Sequence, residues 1–180
     1  MSFKRVLALL CAVVVGCAAL TGCGKKATEQ WAYIHDTETP ALSFYEDGSA
    51  SFNKAKYTSY EITDKVIRLT DKKGDVTEYE YYDDGETRYV YDDVTYDYSM
   101  GEDSSQLIGV WTRGESSYQF TDKGTFMEDG VFPGYYRVQD DGTIRLIYND
   151  PFQDTILKYR LEGGKLIINY PWPMIKMGAK

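Results

Sequence analysis

The feature that most constrains this chain is that its pattern is written twice. Phe44 and Gly48 of "SFYEDGSASF" (43–52) fall on Phe120 and Gly124 of "YQFTDKGTFM" (118–127), an offset of 76. At the same offset Tyr60-Glu61-Ile62 meets Tyr136-Arg137-Val138, and one inserted residue later "VIRLT" (66–70) meets "TIRLI" (143–147). Further on "EYEYYDDGETRYVY" (78–91) is aligned with "LKYRLEGGKLIINY" (157–170), and "QWAY" at 30–33 answers "VWTR" at 110–113, so Trp31 corresponds to Trp111. The offset grows only at turns, where insertions are tolerated. A duplicated unit of roughly 70 residues must therefore find one fold that both copies can adopt.

Within each copy the hydrophobic period is two. Thr155, Leu157, Tyr159 and Leu161 alternate with Ile156, Lys158 and Arg160. Thr77, Tyr79 and Tyr81 alternate with Glu78 and Glu80, and Val94, Tyr96, Tyr98 and Met100 share one face. Alternation of β-branched and aromatic residues is the mark of half-buried strands. The interruptions, Glu46-Asp47-Gly48, Asp83-Asp84-Gly85, Asp140-Asp141-Gly142 and Glu162-Gly163-Gly164, are turn chemistry, because Gly and Asp tolerate the positive φ of tight hairpins. Short connections leave no room for parallel crossovers. The expected fold is all-β, two tandem antiparallel meanders forming a small barrel or paired half-barrels, with repeats at 29–100 and 107–177 and a polar linker at 101–106.

The second copy carries a recognisable order of motifs: "LIGVWT", "YQFTDKGTF", "GYYRV", "DGTIRL" and "KLIIN". It resembles the small lipocalin-like domains of unknown function found in bacterial lipoproteins, which open with Leu-x-Gly-x-Trp and continue through a Phe-x-x-x-Gly-Thr hairpin. The resemblance implies an antiparallel meander or small barrel and transfers no functional residue. The first copy departs from it, since no Gly stands two residues before Trp31.

The amino terminus sets the expected address. Lys4 and Arg5 precede a fifteen-residue apolar run, Val6 to Leu20, too short for the about 20 apolar residues that span a bilayer. It ends in Leu20-Thr21-Gly22-Cys23, which resembles a lipobox. That implies cleavage of residues 1–22, lipidation of Cys23, a tether over 23–28, and anchorage to the extracytoplasmic face of the cell membrane. Each buried methylene adds about 0.8 kcal/mol to such an anchor. Cys11 and Cys17 lie in the leader, so the mature chain has no free thiol and no disulfide. Cleavage removes Lys4 and Arg5 and no acid, taking the net charge from −8 to −10, which argues against a nucleic-acid partner.

Few residues offer chemistry. His35, in "YIHDTETP", has no triad partners and no Gly-x-Ser-x-Gly elbow, and reads as a solvated loop residue. Zinc spacing, phosphate loops and dinucleotide fingerprints are missing, so no metal and no cofactor is expected. The acidic pairs at 83–84, 92–93, 128–129 and 140–141 lack EF-hand spacing and read as solvated, mostly at hairpin tips. The 17 tyrosines mostly keep strand alternation, which favours packing. In "YPWPM" (170–174) two prolines interrupt the ladder, leaving Trp172 as the candidate for a contact site at a barrel mouth or edge. The expected function is a non-catalytic, lipid-anchored envelope protein binding a small molecule, glycan or protein. A carboxylate-dependent hydrolase of an envelope glycan and a purely structural role are the alternatives.

Overall fold

The computed structural model describes residues 25–178, so the leader 1–22 and Cys23 lie outside the described residues. Those residues form an all-β chain without helix. Two compact units are present, one comprising the chain up to Val90 together with the stretch from Pro173, the other Tyr91–Trp172.

The first unit is built from β1 (Ala27–Tyr33), β2 (Asp36–Tyr45), β3 (Ala50–Phe52), β4 (Ala55–Tyr57), β5 (Ser59–Ile62), β6 (Val66–Thr70), β7 (Val76–Asp84) and the start of β8 (Thr87–Met100). β1 through β4 pair in sequence, as do β5 through β8, all antiparallel. Aromatic contacts join the two runs: the Phe44 and Tyr60 rings are 4.6 Å apart and those of Phe52 and Tyr79 are 4.7 Å apart. Trp31, Leu42, Phe44, Phe52, Ile67, Leu69 and Val90 are buried in this unit. β1 begins at Ala27, inside the expected tether. Lys25 is held as well, its Nζ donating to Ser49 Oγ at 2.9 Å and lying 3.0 Å from Asp47 Oδ2.

The second unit follows with β9 (Gly109–Arg113), β10 (Ser116–Phe120), β11 (Thr125–Glu128), β12 (Phe132–Val138), β13 (Thr143–Tyr148), β14 (Thr155–Glu162) and β15 (Lys165–Lys176). Neighbours pair in order from β8 to β15, and β15 pairs back with β8, closing an eight-stranded antiparallel barrel. Across that seam Asn169 Nδ2 donates to Asp93 Oδ1 at 2.9 Å and Tyr98 N–H to the Gly164 carbonyl at 3.1 Å. Trp111, Tyr118, Phe120, Phe126, Ile144, Leu146, Leu157, Leu166 and Ile168 fill the interior. The period-two pattern of β14 is visible in its burial, with Leu157 enclosed and Ile156 exposed.

The compact units do not coincide with the two sequence copies. They divide at Val90 and Tyr91, and the polar stretch 101–106, expected as a linker, joins β8 to β9 within the second unit. The reason is strand length: β8 runs for 14 residues, its start in a hairpin with β7 and its end paired with β9. β15 does likewise, its end pairing with β1 in the first unit. A bulge between Tyr98 and Met100 also breaks the expected alternation and leaves Met100 70% exposed.

The duplication is carried by register. Trp31 lies opposite Leu42 on one side and Lys176 on the other; Trp111 lies opposite Tyr118 and Tyr98 in the same way. Both indoles are buried. One alignment needs correction. The β7–β8 hairpin closes on Asp84 and Thr87, the β14–β15 hairpin on Glu162 and Lys165, so Gly85 corresponds to Gly163 rather than Gly164. Their φ angles, +61° and +56°, agree. Asp83 therefore falls on Leu161, and Arg88 on Leu166.

Candidate functional site

Because the first three strands of each copy, and its last hairpin, keep the same pairing, each copy serves there as a control for the other. A polar residue that one copy places where the other holds an apolar one is not demanded by the fold. Two such places stand out.

The first is Asp83 and Arg88 in the first unit. Arg88 donates through Nε and Nη2 to the two oxygens of Asp83, at 2.8 and 2.9 Å, and Nη1 lies 3.4 Å from Glu29 Oε1. Its guanidinium carbon sits 4.2 Å from the Trp31 ring centre and 4.6 Å from that of Tyr81. Trp31 Nε1 donates to Glu29, which also faces Lys176 at 3.7 Å. Every strong donor and acceptor here is used within the cluster. This forked pair meets its hydrogen-bonding needs largely within the cluster.

The second is Glu128, at the end of β11, in the second unit. Its counterpart under the Phe44–Phe120 register is Phe52, and the residue across from it, Tyr118, answers Leu42. Tyr118 donates to Glu128 Oε1 at 2.8 Å and Tyr148 to Oε2 at 2.6 Å. The partly buried carboxylate thus has one hydroxyl on each oxygen. Burial first, and then the charge of Glu128, pushes the Tyr96 hydroxyl up to about 12; the same two causes raise Tyr170. Tyr118 is raised by burial and Glu128, Tyr148 by burial and by its hydrogen bond to Glu128.

Of these groups Tyr96, Tyr118, Glu128 and Tyr170 line a cavity of about 180 Å³, whose wall also holds Val94, Arg113, Ser116, Ile168 and Trp172. Strands β8 and β15 supply Tyr96, Tyr170 and Trp172, while β9, β10 and β11 supply Arg113, Tyr118 and Glu128. The rings meet edge to face: Tyr96 and Tyr118 at 5.3 Å and 67°, Tyr170 and Trp172 at 5.0 Å and 61°. A rigid aromatic wall with a few convergent polar groups is the general form of a small-molecule site.

The structure brings Trp172 into this wall. His35 is exposed between β1 and β2 in the first unit and stacked on Tyr33 at 5.3 Å. Of the acidic pairs, Asp140 and Asp141 are exposed turn residues as expected. Asp83 and Glu128 are not simply solvated tips: each accepts two strong hydrogen bonds from side chains. Glu128 is the residue that reading the pairs as turn chemistry missed. Its signal was its own copy, since a glutamate aligned with Phe52 is a charge in a core position. Among the described residues no group of three or more His, Cys, Asp and Glu could hold a metal ion. Comparison with family models, curated proteins and solved structures returns no match.

Proposed function

We propose that this is a lipid-anchored, non-catalytic binding protein of the cell envelope, and that its second unit takes a small ligand in the cavity around Glu128. The carrying observation is the exchange of Phe52 for Glu128 between the copies. The first unit shows that the fold closes this position with an apolar ring. The second spends a carboxylate, two tyrosine hydroxyls and an aromatic wall there instead. Fold stability alone gives no reason for that, because a buried polar group costs free energy that its hydrogen bonds only offset.

The binding reading is favoured over hydrolysis by the lining itself. Glycoside hydrolysis uses two carboxylates about 5–10 Å apart across a cleft. This wall presents one, with both oxygens engaged by tyrosines. The Cys23 motif is what supports the anchorage, which would hold the site near a membrane surface.

The test is a fragment screen by NMR on the full-length protein in detergent, repeated on Glu128→Phe, which installs the residue of the first copy. Fragments should bind the wild type with shifts at Trp172 and lose binding in the folded variant. Hits that bind both proteins alike, or turnover of an envelope glycan that Glu128→Gln abolishes, would overturn it.

A further inference from the structure

The charge and hydrogen-bond pattern of the same cavity indicates the class of ligand. Tyr118 and Tyr148 spend their hydrogens on Glu128, so in the lining itself the carboxylate and the Tyr118 hydroxyl oxygen have only lone pairs to offer. At that end of the cavity a ligand is met best by donors or positive charge on its own side. The remaining walls are aromatic: Tyr96, Tyr118, Tyr170 and Trp172, in two edge-to-face pairs set at steep angles rather than stacked flat. Ring faces around a carboxylate attract an organic cation, with Trp the strongest platform and about 2 kcal/mol or more available when the cation is desolvated.

Size narrows the choice. A cavity of about 180 Å³ is close to the about 150 Å³ that holds one benzene-sized molecule. That suits an alkylated ammonium head with a short tail.

Arg113 supplies the second constraint. It lines the cavity and is exposed, while the oxygens of Glu128 go to the tyrosines and not to it. A simple cation entering here would meet a like charge, and a ligand carrying an acid group at its other end would meet a partner. Ser116, beside it in the lining, adds a hydroxyl donor.

We infer that the cavity binds a compact zwitterion, its substituted ammonium among Tyr96, Tyr118, Tyr170 and Trp172 against Glu128, and its anionic end at Arg113 and Ser116. The inference rests on the cavity being a binding site, and its test separates the two readings.

Three probes are titrated calorimetrically into the full-length protein in detergent: glycine betaine, choline, and 3,3-dimethylbutan-1-ol, the uncharged carbon analogue of choline. Betaine should bind tightest, and choline about tenfold or more above the alcohol, the size of a single cation–π interaction. Arg113→Gln should bring betaine down to choline. Glu128→Gln should weaken both cations about tenfold and leave the alcohol unchanged. An alcohol that binds as well as choline would overturn the ammonium assignment while leaving the cavity a binding site. Choline equal to betaine would overturn the zwitterion. Heats from none of the three at millimolar concentration would overturn the whole inference, and the fragment screen alone would then decide the proposed function.

Discussion

Arg88 and Asp83 face each other across the β7–β8 hairpin through two parallel hydrogen bonds, in the places that Leu166 and Leu161 hold in the second unit. One copy of the fold fixes this corner with a forked ion pair, the other with two leucines. The exchange makes the energetics of the pair directly testable. Removing one partner of a buried ion pair strands the other and costs about 3–5 kcal/mol; replacing both with well-packed apolar residues is often neutral or better. Asp83 is half exposed, and Glu29 with the Trp31 and Tyr81 rings still holds the Arg88 guanidinium once Asp83 is gone, so the cost falls below that range. Asp83→Leu alone should therefore lower stability by about 2–3 kcal/mol, and the double variant Asp83→Leu, Arg88→Leu should recover most of it. Urea midpoints of the two variants check this; equal losses would show that the pair does not act as a unit.

The same contact sets an acid limit. The hydrogen bond from Arg88 holds the Asp83 carboxyl below its ordinary value of 3.8. A depressed folded-state value means that the stabilisation is complete above 3.8 and is lost as pH falls through the lower folded value. Asp92 contributes with the opposite sign: burial raises its value, so its share of stability falls as pH rises above 3.8. The difference between wild type and Asp83→Asn isolates the first effect. Their melting temperatures should be furthest apart near pH 5 and converge toward pH 2. A constant gap across that range would refute the assignment.

Gly109 explains the Leu-x-Gly-x-Trp element of the second copy. Its φ is +141°, and a Cβ there would stand 2.7 Å from the Met100 carbonyl and 2.8 Å from the Tyr98 ring. Tyr98 in turn packs edge-on against Trp111, 5.0 Å between ring centres, and the Trp111 indole donates to the Leu107 carbonyl at 2.7 Å. Gly109→Ala should cost about 1–3 kcal/mol through overpacking and strain. The first copy confirms the logic by contrast: there Glu29 takes the glycine's place, and Lys176 that of the tyrosine, so no ring needs the space. Thermal denaturation of the variant, with Gly114→Ala as a second strained glycine that has nothing within 4 Å, separates crowding from backbone strain.

The anchor is tested independently of the fold. Replacing Cys23 by Ala should leave an uncut, unacylated precursor, heavier by residues 1–22 and unlabelled by radioactive palmitate, whose partitioning into detergent is weaker than that of the wild type. Partitioning equal to wild type would show that retention does not depend on Cys23.

Sequence and structure divided this protein between them along a physical line. Strand identity, turn positions, antiparallel connectivity and the duplication were readable from residues alone, because each depends on neighbours along the chain: a period of two, a glycine able to take positive φ, a loop too short to cross over. The burial of Trp31 and Trp111 followed from their equivalent places in the repeat. What depends on strand ends meeting was not readable. No local signal says that β8 and β15 outrun their hairpins, that the units therefore divide at Val90, or that β15 closes a barrel on β8. The candidate site belongs to the same class. Trp172 stood out through its flanking prolines, but Tyr96, Arg113, Tyr118 and Glu128 are spread over four strands, and only the tertiary structure brings their side chains to one cavity. Tyr118 and Glu128 are ordinary strand residues until the tertiary structure removes the water around them, and it is that removal which gives Glu128 and its tyrosines their chemistry.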